Sequence, residues 1–317
     1  MQIEAALIIG YRRSENLKII SQSCIAAGIT RLYFSLDMVD KNDLRAVADH
    51  EACLRVIRVL ELDSNLKVVL QIQDSNVGCA VAVVSGCDWF FKHETFGVVL
   101  EDDCIPSKAF FRYVSDSAGF LIDSPEIWLI SGSQVCKSIE SLSGSYVSKY
   151  ALIWGWATNS DKWKEISASL RVRPKKLKLS NIFSPEYSYW YFGAKRAETG
   201  IVDAWDTILL QRMHEHGKLS IVPYQNLVQN VGGDEFAVHT KSTDLVNVIA
   251  VGDYWAEKFP ARDLRADERL RHDFYKISVR HLLTTRVHWL LDRALILAQR
   301  SKYRTLNHRL NAAHAHH

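Results

Sequence analysis

Phe96 to Asp103, FGVVLEDD, is the stretch that decides how this chain folds. A valine-rich apolar run of five residues leads directly into three consecutive carboxylates. A run of this kind, with no polar alternation, reads as a strand buried on both faces, and such strands belong to parallel sheets covered by helices. The acids at its tip are costly, because like charges repel at short range and burial penalises each one. A divalent cation offsets that cost: Mg²⁺ and Mn²⁺ take oxygen ligands, typically one or two carboxylates completed by phosphates and water. The competing reading is a solvated acidic turn capping the helix that begins near Pro106.

Upstream, short apolar runs alternate with segments of helical period. Ala5 to Ile9 reads as a first strand, and Leu17, Ile20, Ser21, Cys24 and Ile25 recur at helical spacing in a helix that closes at Gly28. Leu32 to Leu36 reads as a second strand, Asn42 to Ile57 as a second helix and Lys67 to Ile72 as a third strand. Val81, Val84, Cys87, Phe90 and Phe91 form the core face of a third helix. The order βαβαβαβ predicts an open, mostly parallel, Rossmann-like α/β sheet. Ligands of such sheets bind beyond the carboxyl ends of the strands. Gly10-Tyr11-Arg12-Arg13-Ser14, Asp37, Gln73-Asp74-Ser75-Asn76 and Glu101-Asp102-Asp103 stand there, so arginines and acids gather on one rim. The guanidinium of Arg13 suits a nucleotide or phosphate, and Arg12 reads as solvated.

Downstream, Lys108 to Phe120 reads as a helix and Ile127 to Ile130 as an apolar strand. Ser138 to Phe192, rich in Ser, Tyr and Trp, reads as loops and short strands shaping a binding surface, with a solvated lysine-rich loop over Arg171 to Lys178. Asp203 to His216 reads as a helix carrying Asp203 and Asp206 on one face. Leu219 to Pro223 reads as a strand, Gln225 to Thr240 as a glycine-containing loop, and Ala266 to Gln299 as helical.

At 317 residues, 48% hydrophobic and 24% charged, the chain is sized for one large domain or two lobes, which excludes disordered and fibrous classes. A net charge of +3 argues against a nucleic-acid partner. The charge is uneven: from Lys258 onward thirteen Lys/Arg face five Asp/Glu, so this tail carries +8. Cys24, Cys53, Cys79, Cys87, Cys104 and Cys136 lie scattered without a C-x-x-C pair and are expected as reduced core thiols. No apolar run approaches the ~18 residues of a membrane span, and the first residues read as a strand rather than a leader. A cytoplasmic protein is expected, at the inner face of the membrane if the basic tail binds lipid.

The segment Trp89 to Val114, WFFKHETFGVVLEDDCIPSKAFFRYV, resembles the centre of the GT-A fold glycosyltransferases related to N-acetylglucosaminyltransferase I and their bacterial relatives of polysaccharide loci, whose metal motif is the same Glu-Asp-Asp. Ile8 to Ser14 is similar to that family's first strand with its donor-contacting Arg-Ser. Phe34 to Asp37 is similar to its second strand with the acid that recognises uracil. Trp154-Gly155-Trp156-Ala157 resembles its Gly-Trp loop, Trp205-Asp206 the Trp-Asp carrying its catalytic base, and Asn226 to Asn230 with His239-Thr240 its closing motifs. The resemblance spans about residues 3 to 240. Asn76-Val77-Gly78-Cys79 lacks the basic residue that relatives often carry in the following helix, and Val231-Gly232-Gly233-Asp234 departs from their commoner glycine loop.

What the resemblance implies is an inverting, metal-dependent transfer of a sugar from a nucleotide diphosphate, with UDP-GlcNAc or another UDP-hexose as donor. The acceptor would be a glycan or lipid-linked glycan hydroxyl, as in surface polysaccharide synthesis. Residues 1–130 would be the nucleotide-sugar half, 131–255 the acceptor and catalytic-base half, and 256–317 a basic helical extension. Asp103 would ligate Mn²⁺ or Mg²⁺ directly, Asp102 would contact the ribose or reach the metal through water, and Glu101 would hold the loop and sugar. Gly10, Tyr11, Arg13, Asp37, Asn76 and Trp156 complete the expected donor site. Asp206 would be the base, with Asp203 its substitute. His239 is a candidate metal ligand or phosphate contact, its alternative being an ordinary surface histidine. Trp154 and Trp156 either close the site or belong to the core.

Ile277 to Ala298 combines Leu282, Leu283, Val287, Leu290 and Leu291 with Arg280, Arg286 and Arg293, which suits a helix with an apolar side and a basic rim. It either packs on the protein or a second copy, the favoured reading, or lies on an anionic membrane. Two rival functions share the sheet. A sugar-phosphate nucleotidylyltransferase should carry a glycine-rich loop after its first strand, where only Gly10 stands; a binding protein without turnover fits poorly with intact Asp103 and Asp206.

Overall fold

The computed structural model describes residues 1–136, 143–172, 183–232, 260–298 and 308–310. The first third is the alternation expected: β1 (Ala5–Gly10), α1 (Ser14–Ala26), β2 (Arg31–Leu36), α2 (Leu44–Leu60), β3 (Lys67–Ile72), α3 (Cys79–His93) and β4 (Phe96–Glu101). Local chemistry sets several boundaries. Gly28, at φ +88°, lets its N–H reach the Ile25 carbonyl and that of Ile29 reach Cys24, which satisfies the last carbonyls of α1. Asp43 caps α2 by accepting from the Ala46 N–H at 3.0 Å.

After β4 come β5 (Cys104–Pro106), α4 (Lys108–Asp123), β6 (Ile127–Ser131), β7 (Ser145–Ser148), β8 (Trp156–Asn159), α5 (Ser160–Arg171), α6 (Pro185–Glu198), α7 (Asp206–His216), β9 (Leu219–Pro223) and β10 (Val228–Asn230). β11 (Ala261–Arg262), α8 (Leu264–Arg269), a π-helical turn (Leu270–Phe274) and α9 (His281–Ala298) follow. Nine strands form one sheet in the order β11-β7-β9-β6-β8-β4-β1-β2-β3. β3, β2, β1 and β4 run parallel, and β8 joins β4 antiparallel. Both faces are covered. Ala5, Leu7 and Ile9 face a core with α3, α5 and α7, whereas Ala6 and Ile8 face one with α1, α2 and α4. This two-sided burial is why the strands read as unbroken apolar runs.

Four expectations change. The Ser- and aromatic-rich region from 138 to 192 holds two helices, α5 and α6, besides its short strands. Asn159 caps α5, and Ser184 with Pro185 in the first turn starts α6. The aromatic run of α6 has modest helix propensity, and burial of Trp190 and Phe192 decides its conformation. Arg171 ends α5 and pairs with Asp88 at 2.5 Å rather than opening a solvated loop; residues 173–178 of that loop lie outside the described residues. α7 begins at Asp206, so Asp203 precedes the helix. The helical span from 266 to 299 is broken between the π-helical turn and α9, where Lys276 takes φ +51° and the Ser278 N–H donates to His281 Nδ1. The six thiols are free, five of them buried, and burial pushes that of Cys53 up to about 12.

Candidate active site

The strand order reverses between β1 and β4: the chain goes outward from β1 to β2 and β3, then returns to the other side of β1. Crevices form at such a switch point, and here a cleft of about 670 Å³ opens at the ends of these two strands. Gly10, Tyr11, Arg13, Asp37, Asn76, Glu101, Asp102, Asp103, Asp203 and Asp206 all line it. Ten of the predicted site residues, distant in sequence, are thus brought together.

Asp102 is buried and holds the two loops to each other. One oxygen accepts from the Tyr11 N–H at 2.8 Å and the other from Arg13 Nη1 at 2.7 Å. Asp103 lies further out, 3.9 Å from the same guanidinium. Burial, then the Asp102 charge, raises the pKa of Asp103. Burial, then Asp103, Asp102 and Asp206, raises that of Glu101 well above the usual carboxylate range. Ionising Glu101 and Asp103 together, at the crowded tip of β4, is therefore disfavoured. β10 closes over it from the side: it pairs antiparallel with β5, and the Val231 N–H donates to the Asp103 carbonyl at 2.8 Å. A methyl group on Gly232 would stand 2.3 Å from Asp103 Oδ2, so a larger residue there would have to displace that carboxylate.

Hard oxygen donors of this kind suit Mg²⁺ or Mn²⁺, which keep sites for phosphate and water. Among the described residues, however, no group of three or more His, Cys, Asp or Glu is placed to hold a metal ion. His239 lies outside the described residues.

Asp37 is buried, and burial raises its pKa. Its oxygens accept from the N–H groups of Val77, Gly78 and Met38 at 2.9–3.0 Å, which ties β2 to the start of α3. Asn76 donates to the Met38 carbonyl at 2.8 Å and to the Tyr11 hydroxyl at 3.3 Å. Asp203 pairs with Arg309 at 3.0 Å, and Arg309 also donates to the Val77 carbonyl. It is thus engaged in a structural clasp while still lining the cleft. Gly78, at φ +79°, makes room for it, since a Cβ there would lie 2.5 Å from Asp203 Oδ2.

Two other expectations are corrected. Trp156 does not line the cleft: it is 1% exposed and packs between Trp163 and Trp205, with centroids 5.8 and 5.7 Å away. Trp154, beyond the left-handed Gly155, lines the cleft instead. Arg12 is not solvated: it binds Asp49 at 2.8 Å with 16% of its side chain exposed. Arg309 gave no signal as a site residue; it meets its partners across 106 and 232 residues, beyond any local pattern.

No protein-family profile matches the chain, and no curated protein does. Among solved structures, the inositol-1-phosphate CTP transferase from T. maritima overlaps 79% of this chain and 99% of its own, at 10% identity and a TM-score of 0.41. A UTP-bound UGPase from Acinetobacter baumannii overlaps 70% and 86%, at 10% and 0.37. The apo structure of the bifunctional glycosyltransferase WbbM overlaps 53% and 34%, at 11% and 0.32. Overlaps of this size describe a partly common course of the backbone and assign no chemistry.

Proposed function

We propose that this chain is an inverting, metal-dependent glycosyltransferase that uses a nucleotide-diphosphate sugar. The observation that carries the reading is that the acidic tip of β4 and Asp206 line one cleft, with Arg13 paired to Asp102 in the same lining. The tip would hold Mn²⁺ or Mg²⁺ through Asp103, and the ion would neutralise the charge that develops on the departing diphosphate. Asp206 is the first residue of α7 and also borders a second cavity, so an acceptor hydroxyl can approach it from the side away from the acids. Asp206 takes the proton of that hydroxyl as its oxygen attacks the anomeric carbon; the bond to the diphosphate breaks and the configuration inverts. Gly10, Tyr11, Asp37 and Asn76 form the wall for the nucleoside, and kinship of motif favours uridine. The acceptor class, a glycan or lipid-linked glycan, follows from the same kinship.

The nucleotidylyltransferase alternative asks the loop after β1 to cradle a triphosphate with its amides. Here the Tyr11 amide is engaged by Asp102, which favours transfer of sugar over transfer of nucleotide. The test is a thermal-shift series of UDP, GDP and dTDP with and without Mn²⁺, followed by release of UDP from UDP-hexoses. Stabilisation by UDP that requires Mn²⁺, with slow donor hydrolysis, supports the reading. Pyrophosphate release from UTP and a sugar 1-phosphate, without donor hydrolysis, overturns it.

A further inference from the structure

Behind Asp206 lies a second cavity of about 580 Å³, within the ~300–1,000 Å³ common for small-ligand sites. Ile153, Trp154, Val202, Asp206 and Thr207 line both this cavity and the cleft, so the two are contiguous at the candidate base. The floor comes from α6 and the π-helical turn. Tyr189 meets Trp190 at 4.9 Å and 88°, Trp190 meets Tyr275 at 4.8 Å and 79°, and Tyr275 meets Phe274 at 4.7 Å and 67°. Phe274 in turn meets Trp154 at the mouth, at 6.1 Å and 83°. These edge-to-face contacts hold a continuous aromatic belt.

The roof is different in character. α9 packs along α6, fastened by Arg196 to Asp292 at 2.6 Å, and turns His281, Thr284, Thr285 and His288 towards the cavity. These positions are spaced as one helical face. Its opposite face, with Leu283, Val287, Leu290 and Leu291, is exposed. The lining thus combines aromatic rings from α6 and the π-helical turn with hydroxyls and imidazoles from α9, and the two meet where His281 packs edge-on against Tyr189 at 5.2 Å. Trp190 adds a donor: it is 3% exposed, and its indole N–H has no acceptor among the described residues. A buried donor of this kind calls for an acceptor atom.

We infer that this chamber is a sugar-acceptor subsite roofed by the C-terminal extension: a pyranose lays its C–H face on the Tyr189–Trp190–Tyr275 belt while its hydroxyls meet Thr284, Thr285, His281 and the Trp190 N–H. The amphipathic demand of a pyranose, apolar on its faces and polar at its rim, matches a lining in which aromatic rings adjoin hydroxyl and imidazole groups, which an acyl or prenyl chain would not require. The electrostatics agree, since burial and then the charge of Asp206 raise the pKa of both Tyr189 and Tyr275, so the belt lies within reach of the base. The roof lies beyond residue 240, outside the span of family resemblance, so acceptor choice would reside in the part of this chain that is its own. The inference rests on the transferase reading for the role of Asp206, but not for the binding of sugar.

The test is saturation-transfer difference NMR on the full chain with the methyl pyranosides of glucose, galactose, mannose and N-acetylglucosamine, and with octyl β-glucoside. The expected result is saturation of ring protons for at least one methyl glycoside, reduced at least fivefold in Thr285→Trp, which fills the chamber from its roof. Trp190→Phe, which keeps the ring and removes the N–H, should weaken the same signal even if Thr285→Trp folds poorly. Ring-proton signals absent throughout, or unchanged in both variants, overturn the inference. Saturation of the octyl chain alone also overturns it, in favour of a lipid tail. The UDP–Mn²⁺ shift of the wild-type chain is read separately; its absence would sink the donor reading and leave the glycoside result standing.

Discussion

Arg13 donates to Asp102 at 2.7 Å across 89 residues of sequence, with 12% and 8% of the two side chains exposed. This pair, together with the Tyr11 amide on the other carboxylate oxygen, joins the loop after β1 to the tip of β4. Breaking it leaves a buried carboxylate without its cation, which typically costs several kcal/mol. Arg13→Ala is expected to lower stability by about 2–4 kcal/mol in urea unfolding. Adding Asp102→Asn should recover part of that loss, because the amide needs no counter-charge. Equal destabilisation by the single and double variants would contradict the clasp.

Asp103 carries its charge at a cost, since burial and Asp102 raise its pKa. Asp103→Asn should therefore raise the Tm of metal-free protein, by roughly 2 °C, while abolishing Mn²⁺-dependent stabilisation by UDP. The pH dependence has a defined sign. Raised carboxyl pKa values at Glu101 and Asp103 mean that an incoming cation must displace protons at pH values where free carboxylates, near ~4, are already ionised. Apparent Mn²⁺ affinity should accordingly weaken on acidification from neutrality, starting above that range. A calorimetric titration at several pH values reads it, and a flat profile down to the ordinary range refutes it.

Asp206 and Asp203 should separate cleanly. Asp206→Asn is expected to cut sugar transfer by ~10²–10⁴-fold while UDP binding with Mn²⁺ stays intact. Asp203→Asn removes the partner of Arg309 at the start of α3 and should act on stability, by about 1–2 kcal/mol. Arg309→Ala should mimic it. Kinetics showing the larger catalytic loss at Asp203 would reverse the two roles.

His214 packs against Tyr150 and Trp190, both at 5.7 Å between centroids, and burial lowers its pKa to about 4. Glu186, 3.8 Å away, opposes that shift, whereas Lys149 and Arg262 reinforce it. A histidine held neutral in the folded chain binds fewer protons than in the unfolded chain between about pH 6.5 and 4. Its contribution is therefore complete above pH ~6.5 and lost as pH falls towards 4, by at most about 3 kcal/mol. Comparing urea unfolding of the wild type and His214→Phe at pH 7.5 and 5 isolates it; the variant should lose less stability on acidification.

The two tryptophans flanking Gly155 should also part company. Trp156→Ala opens a core cavity between the indoles of Trp163 and Trp205 and is expected to cost about 3–5 kcal/mol. Trp154→Ala, at the mouth of both cavities, should cost far less stability and alter glycoside binding instead. Chemical denaturation of the two variants side by side distinguishes them.

The βαβ alternation of the first hundred residues was legible because two-sided burial writes itself into composition: β3 begins and ends where KVVLQI does, and β4 runs one residue past FGVVL. The gathering of Arg13, Asp37 and the β4 acids was legible too, since the ends of parallel strands lie on one edge whatever the loops do. Helices α5 and α6 were not. Their residues have indifferent propensities, and contacts remote in sequence decide them, as Trp163 with Asp88 and Tyr150 with Trp190 illustrate.

By itself, the sequence determined the class of sheet, the edge at which polar and charged side chains gather and the run of three acids at the tip of β4. These are consequences of period and charge, which are local. Only the tertiary structure decided that Asp203 serves Arg309, that Trp156 belongs to the core, and that α9 roofs a chamber beside Asp206. Each of those depends on which surfaces meet in space, and spacing along the chain does not encode which ones do.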